Sequence, residues 1–297
     1  CIKVYQLTLT TMETNMKISL KFKTVIAMVV AIFAASAAVA NGPLMDRIES
    51  GKTIRIGFAN EIPWAYPGEG NKPVGFANVH ALGVLKAMGY DNIEPVVTDW
   101  GGLIPGLKAK RFDIITGGMY ILSSRCANVD FAEPMGSFGD AFIVPKGNPK
   151  GLVDFATIRD SGSVMATGAG YVSIESAKKE GVPDENIMAL PGPTEILAAV
   201  RSGRADAGAV TFFTGRDLAA TTDGEIEVTD PSLMPLWTKN WVGIAFSPDD
   251  KDFLAAFNDA QAEYLGSDEM LTAVGEYEYT SSQLPGDVTT SWICANR

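Results

Sequence analysis

Short runs of β-branched residues alternate with helical patterns along most of the chain after residue 50. The first run, TIRIGF at 53–58, alternates apolar and polar residues and predicts a strand. A helix is predicted over 79–88, because Gly89 stands where glycine commonly follows the last turn of a helix. The alternation continues with strands over 94–98 and 113–116 and a helix over 103–110. This pattern predicts a largely parallel sheet with helices on both faces.

A second series of strands and helices begins around a predicted crossing point at 146–149. A strand predicted over 141–145 precedes this crossing point. After it, the predicted elements are strands over 163–167, 206–211 and 241–246, and helices over 172–180, 194–202 (capped by Thr194) and 251–265. The chain passes from the first series of strands and helices to the second and later returns. This predicts an α/β protein with two lobes linked by two hinge strands. Lobe 1 is expected over 41–144 plus 246–297, and lobe 2, with the hinge strands, over 145–245. A ligand is expected in the cleft between the lobes, where strand ends and helix N-termini meet.

The first forty residues have the pattern of a leader followed by a secretory signal peptide. Met16 opens a segment with three lysines, an apolar run extends over 25–37, and the small residues Ala38 and Ala40 mark a cleavage site. The apolar run is shorter than the ~20 residues of a membrane span. We therefore expect residues 1–40 to be removed and the mature chain, starting at Asn41, to reside in the periplasm.

Charge and cysteine content narrow the classes of partner and cofactor. The formal net charge of −11 at pH 7 excludes nucleic acid and anionic membranes as partners. After residue 40 the chain has two cysteines, Cys126 and Cys294, and its only histidine, His80, lies in a predicted helix, so neither a metal nor a cofactor is expected. In an exported chain, two cysteines favour one disulfide over two buried free thiols.

The segment 113–134 carries the most distinctive chemistry. A predicted strand ends in two glycines, where a backbone can approach a ligand closely, and Tyr120 and Arg125 follow. A guanidinium is a fixed fork of donors that suits a carboxylate held by two hydrogen bonds. On spacing alone, a surface arginine paired with Asp130 or Glu133 is an equally good interpretation.

The same segment resembles the signature of the periplasmic solute-binding proteins of ABC importers that carry polar amino acids. The matched positions are Asp113, Ile115, Gly118, Met119, Arg125, Val129, Asp130, Phe131 and Pro134. The resemblance extends over essentially the whole chain after residue 40. It implies the bilobal periplasmic-binding-protein fold, closure of the lobes around a small solute, a membrane permease as partner, and a monomer.

One position departs from the pattern of that family. Its members carry an acidic residue four positions after a G-R-x-D-A motif, which grips the α-ammonium of the ligand. Here the motif occupies 203–207, and Thr211 stands at the acidic position. A hydroxyl cannot neutralise an ammonium, and burying an unpaired charge costs several kcal/mol. An ordinary α-amino acid is therefore a poor candidate ligand.

Three large aromatic residues, Trp64, Trp100 and Tyr120, fall at predicted strand ends beside the cleft. Their rings are expected to form a cage for a delocalised or alkylated cation, at ~0.5–2 kcal/mol per contact. Glu61 is expected to accept a hydrogen bond from that cation, while Arg125 holds a carboxylate. The backbone N–H groups of Gly170 and Tyr171, at the start of a predicted helix, are expected to bind the same carboxylate.

Three segments, 57–64, 101–107 and 117–126, resemble the ectoine- and hydroxyectoine-binding members of the family. This resemblance implies capture of an ectoine-type compatible solute in osmoprotection, with Trp64, Trp100 and Tyr120 around the ring, Glu61 on its nitrogens and Arg125 on its carboxylate. A betaine or a cationic amino-acid derivative is the alternative ligand. A periplasmic dehydratase-like enzyme is the alternative class. We predict a binding protein and not an enzyme, because catalysis needs a positioned proton donor and the sequence offers little beyond Glu61.

Overall fold

The computed structural model describes residues 41–297, which form one compact unit. The predicted signal peptide at 1–40 lies outside the described residues. Across 41–297, the helices are too short or too polar to cross a membrane.

The strands and helices follow one another much as the sequence pattern predicts. The strands are β1 (Ile54–Phe58), β2 (Tyr66–Pro67), β3 (Pro73–Val74), β4 (Ile93–Val97), β5 (Ile114–Tyr120), β6 (Asp130–Phe131), β7 (Gly136–Phe138), β8 (Asp140–Pro145), β9 (Met165–Gly168), β10 (Ile187–Leu190), β11 (Ala207–Thr211), β12 (Ile226–Val228) and β13 (Asn240–Phe246). The helices are α1 (Pro43–Glu49), α2 (Phe76–Ala87), α3 (Leu103–Lys108), α4 (Ser123–Cys126), α5 (Phe155–Ser161), α6 (Val172–Glu180), α7 (Pro193–Arg201), α8 (Phe212–Ala220), α9 (Lys251–Tyr264), α10 (Asp268–Gly275) and α11 (Thr290–Asn296).

The first sheet has the strand order β4-β1-β5-β13-β6, and β7 also pairs with β13. Strands β4, β1 and β5 are parallel, as the strand–helix alternation predicts. Strand β13 runs antiparallel to β5 because the chain re-enters this sheet from the second one. The second sheet, β10-β9-β11-β8-β12, is built the same way, with three parallel strands and an antiparallel β8.

The two places where the chain crosses between the sheets differ from the prediction. Strand β8 pairs with β11 and β12 in the second sheet, and β13 belongs to the first. The crossings therefore lie just before β8 and just before β13, whereas the sequence predicts a crossing at 146–149, with 141–144 in lobe 1 and 241–245 in lobe 2. An apolar strand fits the interior of either sheet, so the hydrophobic pattern could not assign β8 and β13.

Each sheet packs its own aromatic core. Phe58, Phe76 and Phe246 are fully buried beside the first sheet, while Phe142 and Phe155 are fully buried beside the second. The predicted amphipathic helix is α9, whose apolar side chains pack against the first core. Helix α7 begins at Pro193 with Gly192 at its N-cap, so the predicted cap at Thr194 is wrong. Proline suits that first position because it needs no N–H donor there.

The predicted disulfide is present, and it joins α4 to α11 through Cys126 and Cys294. The bond is supported by a hydrogen bond of 2.6 Å from Ser123 Oγ to the carbonyl of Cys294. The C-terminal helix therefore braces the short helix that carries Arg125.

Candidate functional site

A pocket lies between the two sheets, at the ends of their strands. The first sheet contributes residues that follow β1, β4 and β5, and the second contributes the start of β8, the end of β11 and the start of α6. The lining residues are Glu61, Trp64, Trp100, Gly118, Tyr120, Arg125, Asp140, Tyr171, Val172, Ser173 and Thr211. The empty space between them, mouth included, measures about 380 Å³. Sites for small molecules in α/β proteins commonly lie at this position, at the ends of the strands.

Seven of the eight predicted ligand-binding residues line this pocket. The eighth, Gly170, lies beside it, and its carbonyl accepts hydrogen bonds from Arg125 and Trp100. Gly170 was predicted to bind the ligand through its N–H, and in the structure its carbonyl also has a structural function. The amide of Tyr171 is not available to a ligand, because it donates to the carbonyl of Gly168 at 3.0 Å. The next two amides, of Val172 and Ser173, open helix α6 at the pocket wall.

Arg125 points into the pocket and not toward the surface. It is 8% exposed, and its Nη1 and Nη2 donate to the carbonyls of Tyr120 (2.8 Å) and Gly170 (2.9 Å). The surface-arginine interpretation, with Asp130 or Glu133 as partner, is therefore wrong. Burial lowers the pKa of Arg125 to about 10, so the side chain remains a cation at neutral pH.

The aromatic rings predicted to form a cage meet around this pocket. The rings of Trp64 and Tyr120 lie 6.0 Å apart at 87°, and those of Trp100 and Tyr171 lie 5.5 Å apart at 78°. Tyr171 therefore adds a fourth ring to the predicted three. Trp64 is also a core residue, because it is 2% exposed and packs on Phe76 at 4.6 Å.

The loop after β1 holds Glu61 and Trp64 in place. Glu61 and Ala65 exchange two backbone hydrogen bonds of 2.8 and 2.9 Å, which close the loop on itself. Gly118 lets β5 pass directly under the Trp64 ring, since a Cβ there would lie 2.6 Å from Trp64 Cε3. Gly118 also has φ +74°, a conformation that L-residues with side chains rarely adopt.

Thr211 has a structural function in addition to its place in the pocket wall. Its hydroxyl oxygen accepts a hydrogen bond of 2.9 Å from Trp64 Nε1 and caps helix α8 by accepting from the amide of Thr214. The hydroxyl itself donates to Thr214 Oγ1. The threonine at the expected acidic position therefore fixes the edge of the indole from across the cleft.

The second sheet nevertheless supplies a carboxylate. Asp140 opens β8 and is the cross-strand partner of Thr211 in the antiparallel pair β8–β11. It is 1% exposed, and its Oδ1 accepts a hydrogen bond of 3.3 Å from the Tyr120 hydroxyl. The second sheet therefore adds a carboxyl group to the aromatic rings predicted around the pocket. The sequence motif around Thr211 gives no sign of Asp140, because only the strand register brings the two together.

Both pocket carboxylates are buried and each is bonded to a tyrosine. Glu61 accepts a hydrogen bond from the Tyr171 hydroxyl across the cleft, as Asp140 does from Tyr120. Burial raises the pKa of Glu61 to about 7 and that of Asp140 to about 7, while the tyrosine hydrogen bonds and Arg125 oppose the rise. These carboxyls are thus poised to gain or lose a proton near neutral pH.

Hydrogen bonds across the cleft join the two sheets directly. They run from Arg125 and Trp100 to Gly170, from Trp64 to Thr211, from Tyr171 to Glu61, and from Ser124 to Glu175. Several residues that line the pocket therefore also hold the two sheets together.

Comparison with known proteins agrees with this architecture. The profile of the bacterial extracellular solute-binding proteins, family 3, matches residues 54–277. The chain belongs to this family. The match confirms the resemblance read from the segment 113–134, and the bilobal α/β fold predicted from it is confirmed as well.

Several relatives carry names or titles that describe solute binding. The chain is 32% identical to y4tE of Sinorhizobium fredii, a "Probable amino-acid ABC transporter periplasmic-binding protein", over 88% of this chain and 89% of that one. It is 25% identical to the L-cystine-binding protein TcyJ of Escherichia coli, over 78% and 85% of the two chains. The crystal structure of EhuB in complex with hydroxyectoine is similar with a TM-score of 0.77 and 27% identity, over 86% of this chain and 98% of that one.

Proposed function

We propose that this protein is the extracytoplasmic solute-binding component of an ABC uptake system and captures ectoine- or hydroxyectoine-type solutes by closure of its two lobes. Family membership, the importer relatives and the similarity to the EhuB–hydroxyectoine structure support the proposal. The observation that carries it is one pocket lined by a buried arginine, aromatic rings and two carboxyl groups. In this proposal the signal at 1–40 exports the chain to the periplasm, where a membrane permease receives the loaded protein.

The side chain of Arg125 and the helix start beside it fit a carboxylate. Arg125 has five N–H donors, and hydrogen bonds to two carbonyls leave three of them for a ligand. Beside it, the first amides of α6, from Val172 and Ser173, lie at the pocket wall with no side-chain cap at the helix start. A helix N-terminus carries a partial positive charge, so the two features attract the same anionic group.

The aromatic rings of the pocket fit a flat, delocalised cation. The faces and edges of Trp100, Tyr120 and Tyr171 surround the space, and the guanidinium of Arg125 lies 5.7 Å from the Trp100 ring centre. The positive charge of an ectoine is spread over a ring N–C–N unit, which suits contact with aromatic faces. Glu61 faces the same space and accepts a ring N–H in this proposal.

Closure of the lobes is expected because the two lobes each contribute groups that bind the ligand. Arg125, Trp100 and Glu61 belong to the first lobe, whereas α6 and Asp140 belong to the second. A zwitterion bound between them adds charge-assisted contacts to both lobes, and its differential affinity for the closed form shifts the equilibrium toward closure.

A titration of the purified protein by calorimetry tests the proposal. Ectoine, hydroxyectoine, proline betaine, arginine and glutamate are compared under identical conditions, with Arg125→Ala as the matched variant that lacks the carboxylate fork. The proposal predicts that ectoine or hydroxyectoine binds at least tenfold more tightly than the other solutes and that Arg125→Ala abolishes the difference. Tighter binding of glutamate or arginine would assign the pocket to an amino acid.

A further inference from the structure

We infer that Asp140 is a specificity-determining residue that accepts a hydrogen bond from the ligand, so that the cationic group of the ligand carries at least two N–H donors and is not a quaternary ammonium. The inference rests on the proposed function only in taking this pocket as the ligand site. It holds for a cyclic amidinium, a guanidinium or a primary or secondary ammonium, and it excludes betaines.

The hydrogen bonding of Asp140 leaves one acceptor unused. Oδ1 accepts from the Tyr120 hydroxyl, whereas Oδ2 is buried and has no hydrogen-bond partner among residues 41–297. Buried polar atoms in folded proteins nearly always have a partner, and one without a partner at a pocket wall is typical of an atom completed by a ligand. Asp140 lines the pocket, so a ligand donor is the group available to complete it.

Glu61 repeats this arrangement on the other sheet. One of its oxygens accepts from the Tyr171 hydroxyl, and no donor from the described part of the chain is bonded to the other. Each lobe therefore contributes one carboxylate that is held by a tyrosine and keeps one oxygen free. Two free acceptors on opposite walls are satisfied by a cation with two N–H groups pointing in different directions.

A quaternary ammonium satisfies neither acceptor. Its methyl groups would occupy the space beside Asp140 and Glu61 and exclude water without offering a donor. Leaving the buried Oδ2 of Asp140 unpaired weakens binding by roughly ten- to hundredfold. Aromatic rings alone accommodate quaternary and N–H-bearing cations alike, so the two carboxylates decide between these classes.

A purely structural function for Asp140 is the competing explanation, because the carboxylate also positions the Tyr120 ring. Tyr120→Phe is the control for it: this variant removes the hydroxyl that binds Oδ1 but retains the aromatic ring and the Asp140 carboxyl group. Asp140→Asn keeps the size of the side chain and an oxygen for Tyr120, while it removes the negative charge and places an NH₂ donor in the pocket.

The experiment measures affinities of the wild-type protein and both variants for two groups of probes. Ectoine, arginine and proline carry N–H donors, and proline betaine is proline with two N-methyl groups in place of them. We expect the best N–H-bearing probe to bind wild type at least a hundredfold more tightly than proline betaine. We expect Asp140→Asn to lower the affinity for that probe at least tenfold and to leave proline betaine binding unchanged or stronger, whereas Tyr120→Phe changes the ratio of the two affinities less than threefold.

The outcomes separate this inference from the choice of ligand. Wild type could bind arginine instead of ectoine, and Asp140→Asn could still bind arginine at least tenfold more weakly. That result would overturn the ectoine assignment and support Asp140 as an acceptor for the ligand. The inference would be overturned if wild type bound proline betaine as tightly as the N–H-bearing probes. This test needs no variant, so it holds even if Asp140→Asn does not fold. An unchanged affinity of Asp140→Asn for the N–H-bearing probe would overturn it too, and a failure of every probe to bind would contradict both proposals.

Discussion

At the scale of single residues, Arg125 combines a structural and a binding function. Its Nη1 donates to the carbonyl of Tyr120 in its own lobe, which orients the guanidinium, and its Nη2 donates to the carbonyl of Gly170 in the second lobe. A pre-positioned fork loses less side-chain entropy when it binds a carboxylate. The hydrogen bond to Gly170 also ties the first lobe to the second.

Replacement of Arg125 by alanine is expected to remove most of the affinity, by about 2–5 kcal/mol, because the carboxylate of the ligand is then buried without its charged partner. Arg125→Lys retains the charge without the fork and is expected to recover only part of the loss. Calorimetric titration of both variants with ectoine checks this. Equal binding by wild type and Arg125→Ala would place the ligand elsewhere.

Trp100 offers a cleaner test of the rings than Trp64 does. Its side chain is half-buried and contacts Tyr171 and the Arg125 guanidinium, so Trp100→Ala is expected to lower affinity by ~1–3 kcal/mol and leave the folded state intact. Trp100→Phe retains a ring and is expected to keep most of the binding. Affinity and thermal unfolding are measured together, and a variant with unchanged affinity would show that the ring does not contact the solute.

The residues of the site were predictable from the sequence to an uneven degree. Motif position identified Glu61, Trp64, Trp100, Tyr120 and Arg125, because each follows a strand of the first lobe. Asp140 escaped because a lone aspartate before an apolar strand has no distinctive spacing. Its place in the pocket depends on the pairing of β8 with β11, which is tertiary information.

At the scale of elements, the short helix α4 depends on other segments for its position. Four residues are too few to form a stable helix alone, and α4 is held by the disulfide to α11 and by Ser123, whose amide and hydroxyl both bond to the C-terminal segment. The pair Cys126 and Cys294 was predictable from cysteine count and export. The packing of α11 against α4 was not, because no periodic pattern marks the last residues.

Replacing both cysteines by alanine is expected to lower the free energy of unfolding by about 2–4 kcal/mol, since the bond links positions 168 residues apart and restricts the unfolded chain. Urea unfolding of Cys126→Ala/Cys294→Ala measures the change. Wild type under reducing conditions serves as the matched control and should behave like the double variant. A double variant as stable as the oxidised wild type would contradict a bracing function for the bond.

The assignment of strands to sheets marks the limit of pattern reading at this scale. Most predicted strands and helices lie within a few residues of the observed ones, since alternation and glycine positions specify local structure. After their first, polar residues the strands β8 and β13 are apolar, and such strands fit the centre of any sheet. Only pairing partners determine on which side of the hinge they lie.

At the scale of the whole molecule, two lobes meet around a pocket that contains one cation and two carboxyls. The pKa of Arg125 is about 10 and the pKa values of Tyr120 and Tyr171 are raised well above their usual range, so these three keep their charge states near neutral pH. Glu175, near Arg125, bonds to Ser124 at the mouth. The groups that titrate inside the pocket are thus Glu61 and Asp140.

Binding of a cationic group is expected to strengthen as the pH rises from about 5 to about 7 and to level off above that range. The raised pKa values of Glu61 and Asp140 mean that the ligand-free folded protein holds protons that a bound cation displaces. Titrations across pH 5–8.5 in buffers of different ionisation enthalpy measure the released protons, and Asp140→Asn should reduce their number. An affinity independent of pH would contradict the burial of these carboxyls in the ligand-binding form.

The free energy of unfolding reports the titration of Glu61 and Asp140 less clearly than the affinity does. Their raised pKa values stabilise the folded state at low pH, and that contribution is lost as the pH rises toward about 7. Burial lowers the pKa of His80 to about 4, so the unfolded state binds a proton that the folded state does not. The contribution of His80 to the free energy of unfolding therefore rises with pH, opposite to that of the two carboxyls. The two slopes overlap between about pH 4 and 6.5, so the dependence of affinity on pH isolates the pocket.

The most direct measurement is a crystal structure of the protein with hydroxyectoine bound. The account predicts the solute between the lobes, its carboxylate within hydrogen-bonding distance of Arg125 and its ring against Trp100 and Tyr120, with one ring N–H directed at Glu61 and the other at Asp140. A solute bound outside this pocket, or one whose carboxylate faces away from Arg125, would contradict it.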